Sequence, residues 1–333
     1  MTSRAASRQM ASVVVAAIVL LAACGGSVDA PTKKAAEPGR APAVSTPPAG
    51  DVVDVGALPQ GIVYDDRTAT LAVAVREPFR LLLLDPDTLA VRKSVALPGK
   101  VRHLQLATPG GPVLVPTESA NAIVEVALPA GTTRTTKVQR QPHDAAAAAN
   151  GDLVVGNEFS GSISIVRNGM VLKTFDDLLQ PGGVITSGSM AAIIDVKDYS
   201  LTTYDLDAMV RSGRVAAGQG PTHAVLVDDN RLAITDTRGD RVVMFSLDPL
   251  RKIGSIRLSG NPYGIAVDPS SQTVWVTLTT KNKLVGLDMS TNSPAIIATY
   301  PTVAQADTVA VAPGSRTLWV TGTRDGTIQR ITR

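Results

Sequence analysis

Histidine is scarce in this chain: His103, His143 and His223 are the only three among 333 residues. All three sit just inside the start of a repeated unit. Laid over one another, the corresponding pairs read Gln60-Gly61, Arg102-His103, His143-Asp144, Gly182-Gly183, Thr222-His223, Tyr263-Gly264 and Asp307-Thr308. Further along the same units stand Glu77, Glu118, Asn157-Glu158, Asp195 and Asp236. Imidazole beside carboxylate is the donor set that holds a divalent metal or works as a general acid/base pair. The catalytic candidates are therefore His103, His143, His223, Glu118 and Glu158. The ligand-binding candidates are Arg102, His103, His143, Asp144, His223, Tyr263 and Asp307. No cofactor is predicted; a divalent metal in the channel mouth is the one exception these donors admit. A plainer reading stands beside it: repetition alone places such residues in a ring, and histidines on separate units need not converge on one ion.

The elements that must carry these residues are best seen between Asn261 and Tyr300. Four short β-branched runs occur there, Gly264–Val267, Thr273–Thr277, Lys283–Leu287 and Ala295–Thr299, with the turn Asp268-Pro269-Ser270 between the first two. Prolines mark equivalent starts at 59, 142, 181, 221, 262 and 301, and the last four gaps are 39, 40, 41 and 39 residues. The first gap, 83, is two units, with an unmarked start near Lys100-Val101-Arg102-His103. One such unit cannot bury both faces of its sheet, so neighbours must stack. Seven four-stranded units predict an all-β, seven-bladed propeller over residues 51–333. The last unit ends at Arg333 after three strands, while a spare strand, Asp51–Gly56, precedes the first. That strand is expected to complete the seventh blade and leave no open edge. Asp205–Arg211 has weak helical spacing but falls where a turn and outer strand are due. Asp85, Asp205, Asp248 and Asp288 close third strands as turn residues. Trp275 and Trp319, at matching places, predict packing between blades, and the Ala145–Ala149 run suits a narrow innermost strand.

The stretches NPYGIAVDPSSQTVWVT and DTVAVAPGSRTLWVTGTRDGTIQRI resemble the YVTN family of seven-bladed β-propellers. The resemblance is strongest in the last three units. Units two to four mostly lack the family's glycine and Asp-Pro turn. It implies that the first strand of each blade lines the central channel and that the loops bearing the candidates open on one face. It also implies a range of activities, since these blades carry lactonases, lyases and pure binding proteins, and histidine after the opening proline is a common strand-opening residue there.

Residues 1–23 predict a targeting segment, with Arg4 and Arg8 ahead of an apolar core too short for the roughly twenty residues of a membrane span. It ends in Leu21-Ala22-Ala23-Cys24-Gly25, which resembles the lipobox of bacterial lipoproteins. That implies cleavage before Cys24 and diacylglyceryl attachment to its thiol. Cys24 is the one cysteine, so disulfides and cysteine-based sites are excluded. The rest of 24–50 is rich in Pro, Ala, Gly, Ser and Thr and reads as a disordered tether. The expected location is the extracytoplasmic face of a cell membrane, as a lipid-anchored monomer.

A formal charge of +3 with no run of basic residues excludes a nucleic-acid binder. No G-x-S-x-G elbow, P-loop, H-E-x-x-H or dinucleotide fingerprint occurs. With no complete catalytic set, the residues favour a binding or scaffold module that presents its channel mouth to an envelope protein, polymer or small ligand. The alternative is a lactonase-like hydrolase or metal-assisted lyase. In that reading His143 or His223 is base or ligand, and Glu118 or Glu158 is the carboxylate partner.

Overall fold

Short β-branched runs separated by Asp-, Asn- and Gly-rich turns become twenty-eight strands among the residues described by the computed structural model, which are 1–2, 33–56 and 58–333. Cys24 and the apolar segment before it lie outside the described residues. The strands form seven four-stranded antiparallel sheets. Blades one to six span Ile62–Ala96, Gln105–Lys137, Pro142–Phe175, Pro181–Ala216, Pro221–Arg257 and Pro262–Pro301. Blade seven takes three strands from Ala306–Thr332 and its outermost from Asp51–Asp54, which pairs antiparallel with Thr327–Thr332. The spare strand therefore closes the ring. Blade six folds as Pro262–Asp268, Thr273–Leu278, Lys283–Asp288 and Ala295–Pro301, each run extended by a residue or two at its ends. The carboxylates of Asp85, Asp205 and Asp288 accept from backbone N–H groups of their turns, Asp205 from those of Asp207 and Ala208 at 2.9 and 2.8 Å ahead of the outer strand Val210–Ala216.

The second and third strands of each blade are buried on both sides, and apolar clusters form between adjacent blades. Leu71, Leu81, Ile123, Ile163 and Phe245 are wholly or almost wholly enclosed, and each such side chain contributes about 1.5–3 kcal/mol. The two tryptophans join blades. Trp275 donates from Nε1 to Ser315 Oγ of blade seven at 3.0 Å, and Trp319 to the Pro86 carbonyl of blade one at 3.0 Å.

Residues 33–50, expected to belong to a disordered tether, instead lie along the propeller. Lys33–Arg333 forms one compact unit. The Lys34 carbonyl accepts from Tyr199 Oη (2.7 Å) and Arg238 Nη1 (2.6 Å), and Arg238 Nη2 donates to Ala35 O. Ala41 N–H donates to Gln305 Oε1 at 3.0 Å, while Gln305 Nε2 reaches the Gly39 carbonyl. Asn282 donates to the Pro42 carbonyl, and Ala36 and Ala41 are buried. The strap thus runs from blades four and five to blades six and seven. Its composition gives it no core of its own, but its backbone carbonyls find donors on the blade loops. Among the described residues no helix is long and apolar enough to cross a membrane.

Candidate functional site

The inner strands break step where the candidates sit. In blades three to seven the pairing register shifts just after the opening residue, between Pro142 and Asp144, Pro181 and Gly183, Pro221 and Ala224, Pro262 and Ile265, and Ala306 and Val309. Such bulges re-aim side chains. In blade two the inner strand shrinks to Gln105–Leu106, which leaves Arg102 and His103 outside the ladder. Adjacent strands also crowd together here: a Cβ on Gly264 would lie 2.3 Å from the Asp307 carbonyl oxygen, and one on Gly61 2.8 Å from Leu104 Cγ. Glu118 and Glu158 each begin a 3₁₀ turn after a second strand, closed by Asn121 and Gly161 in the left-handed region.

At the channel mouth, His143 Nδ1 lies 3.1 Å from both Glu118 Oε1 and Glu158 Oε2. Lys100 Nζ reaches Glu118 Oε2 at 2.8 Å, Arg102 Nε stands 3.3 Å from Glu118 Oε1, and Gln180 Nε2 donates to Glu158 Oε1 at 2.8 Å. Burial alone would push the Glu118 carboxyl up, but bonds from His143 and Lys100 and the Arg102 charge hold it at about 2. Burial disfavours charge on His143, and the two carboxylates outweigh it, raising that imidazole to about 9.

Just beneath, His103 and His223 meet across the channel with their Nε2 atoms 3.1 Å apart. The His103 ring lies 4.7 Å from that of His143 and 4.4 Å from that of His223, centroid to centroid. His223 Nδ1 faces the Tyr263 carbonyl at 3.1 Å, an oxygen that also accepts from Thr235 Oγ1. Burial, against that hydrogen bond, depresses His223 to about 3. Burial followed by the neighbouring imidazoles and arginines holds His103 well below its ordinary value. His103 and His223 top a channel cavity of about 370 Å³ walled largely by Ile62, Leu104, Ile185, Val225, Ile265 and Val309. A space of about 20 Å³, enough for about one water, separates His143 and Tyr263 from the strap at Ala35–Glu37.

Cationic groups complete the mouth. Arg102 Nη1 lies 3.3 Å from the strap carboxylate Glu37 Oε2. Arg76, at the end of the second strand of blade one, holds Nε and Nη2 out of solvent with no hydrogen-bond partner among the described residues. Burial, then the Arg102 charge, makes its protonated form less favourable than usual. Asp307, also buried, takes a bond from Gln305 Nε2 at 3.1 Å, and burial raises its carboxyl. Asp144 turns away from the mouth. It accepts from Gln105 Nε2 and the N–H groups of Val184 and Ala145, and burial lifts it to about 6.

The mouth therefore gathers Arg102, His103, His143, His223, Tyr263, Glu118, Glu158 and Asp307. Three acids grouped with them in sequence lie elsewhere. Glu77 is exposed in the turn between the second and third strands of blade one, Thr70–Arg76 and Phe79–Leu84. Asp195 accepts from the backbone N–H groups of Leu179, Gln180, Lys197 and Asp198, and Asp236 from those of Gln219, Gly220 and Gly239. They stand one position before the Glu118/Glu158 column, so they hold loops rather than face the channel. Sequence reasoning missed Arg76, Lys100, Gln180 and Glu37. Arg76 was legible in principle, as the one basic residue where the other units carry Thr117, Asn157, Asp195, Asp236, Leu278 and Gly322.

Among the described residues two groups could hold a metal: His103 with His143 and His223, and Glu118 with His143 and Glu158. In the second, Lys100 and Arg102 already neutralise Glu118 and Gln180 occupies Glu158.

No protein-family model matches this chain, and no curated protein matches it. Solved structures do. Virginiamycin B lyase from Staphylococcus aureus superposes with a TM-score of 0.72 at 15% identity, over 85% of this chain and 99% of that one. A streptogramin B lyase gives 0.72 at 13% identity, covering 85% and 97%. Kuenenia stuttgartiensis hydrazine synthase gives 0.73 at 15%, covering 84% and 97%. At these identities the likeness shows the fold, a seven-bladed β-propeller, and nothing finer.

Proposed function

We propose that this protein is a lipid-anchored, extracytoplasmic binding module of YVTN type, and that its channel mouth takes a small ligand bearing a carboxylate or similar anion. The observation that carries the reading is the pair of arginines at the mouth. Arg102 faces the carboxylate of the chain's own Glu37, and Arg76 has buried donors without an acceptor among the described residues. A planar guanidinium with free N–H groups matches a carboxylate in two-point contact. Glu37 on the strap then stands where the ligand's anionic group would compete.

The test is calorimetric titration of succinate, with a neutral sugar as control, into residues 33–333 and into residues 43–333, which lack Glu37 but keep the closing strand. Saturable succinate binding that tightens several-fold in the shorter form is expected. No saturable binding in either form would retire the reading. A hydrolase or lyase is the second reading. It is favoured by the meeting of His103 and His223 above a 370 Å³ cavity and by the lyases among the fold neighbours.

A further inference from the structure

We infer that His103, His143 and His223 together form a binding site for one transition-metal ion of the zinc class, with its fourth coordination position open to the channel cavity. This goes beyond anion binding by Arg76 and Arg102 and does not rest on it.

Geometry is the first support. Imidazole nitrogens bind zinc at about 2.0–2.1 Å, so two ligands of one tetrahedral ion stand roughly 3.3–3.4 Å apart. His103 Nε2 and His223 Nε2 are 3.1 Å apart although they come from blades two and five, on different sides of the ring. The nitrogens that the three histidines offer lie within 4.8 Å of one another. Bringing His143 to ligand distance requires a shift of at most about 1.5 Å relative to that tetrahedral spacing.

Outer partners are the second support. Metal-bound histidine usually donates its other N–H to a carbonyl or carboxylate, which sets the tautomer and turns the remaining lone pair to the ion. His223 Nδ1 faces the Tyr263 carbonyl at 3.1 Å, which leaves Nε2 as the ligand atom. His143 Nδ1 faces Glu118 and Glu158, each at 3.1 Å, which again leaves Nε2. The two carboxylates supply negative charge behind the ligand, against the nearby Arg76 and Arg102.

Placement is the third. The chain has only three histidines, and all of them meet at this point. His103 and His223 line the 370 Å³ cavity, so a position facing it has room for water or a small ligand atom. Three imidazole nitrogen donors select zinc, copper, nickel or cobalt over magnesium and calcium, which prefer oxygen donors.

The full chain, solubilised in detergent and stripped with chelator, is titrated with Zn²⁺ and separately with Co²⁺, no organic anion being present. One equivalent of zinc should bind, and cobalt should give the intense visible bands of a four-coordinate ion. His103→Ala and His223→Ala should each weaken zinc binding at least a hundredfold. Glu158→Gln, which keeps the ligands and alters only an outer partner, should weaken it about tenfold. Circular dichroism confirms that each variant is folded. Should His103→Ala unfold the protein, His103→Asn and the cobalt spectrum of the parent decide the matter. Zinc binding of under a tenth of an equivalent overturns the inference, and so does an octahedral cobalt spectrum with an affinity indifferent to the histidine changes. Succinate binding by the metal-free protein is read separately, so either proposal can fail alone.

Discussion

Arg76→Met should make the empty protein more stable while weakening its grip on anions. Arg76 Nε and Nη2 are shielded from water with no acceptor among the described residues. An unmade buried donor costs about 1–3 kcal/mol, and more when it is charged. Attraction to Glu118 and Asp307 returns part of this, and repulsion from Arg102 adds to it. Methionine keeps the apolar stem and fills the irregular space without a donor. Replacing buried charge by apolar volume is commonly neutral or stabilising by about 1–4 kcal/mol, so a gain of about 1–3 kcal/mol is expected here. At roughly 2–4 °C per kcal/mol the melting temperature should rise by about 2–12 °C. A charged hydrogen bond to a ligand contributes about 1.5–3 kcal/mol, so succinate should bind about ten- to a hundredfold more weakly. Both quantities come from scanning and titration calorimetry in a buffer free of small organic anions. Adding saturating succinate should then shrink the gap in melting temperature, because the ligand stabilises the tighter-binding parent more than the variant. An Arg76→Met protein that melts lower than the parent and binds succinate equally well would refute the reasoning, since Arg76 would then be a satisfied structural residue.

Glu118→Ala removes the common partner of His143, Lys100 and Arg102 from a position where the carboxylate is 2% exposed. Breaking a buried pair in this way costs about 3–5 kcal/mol, and chemical denaturation should show it; a loss below about 1 kcal/mol would mean that Glu158 carries the charge balance. Deleting Asp51–Asp54 strips the ladder partner from Thr327–Thr332. The bare edge should lower the melting temperature and pair with other copies, which light scattering detects as concentration-dependent oligomers; an unchanged monomer with an unchanged melting temperature would show that the closing strand contributes nothing.

Repeat spacing was enough to read the ring of blades, because each blade is a local pattern of period-two runs and turns that must stack to bury its faces. The count of seven, the closing strand at Asp51–Asp54 and the joining role of Trp275 and Trp319 follow from that pattern. The column of His103, His143 and His223 was also legible, as was Glu118 with Glu158, because equivalent places in a repeat occupy equivalent places in space. What the repeat could not decide is where within each place a side chain points. Bulges after the opening residues send His143 to the mouth and Asp144 to the channel wall, and a one-position offset turns Asp195 and Asp236 into loop clamps while Glu118 and Glu158 face the centre. The meeting of His103 with His223 goes with the shortened inner strand of blade two, which leaves His103 outside the ladder. The docking of residues 33–50 depends on donors, Tyr199, Arg238, Asn282 and Gln305, scattered over four blades. Local composition marks that stretch as unable to build a core, and only the assembled ring of loops supplies the partners that hold it across the mouth.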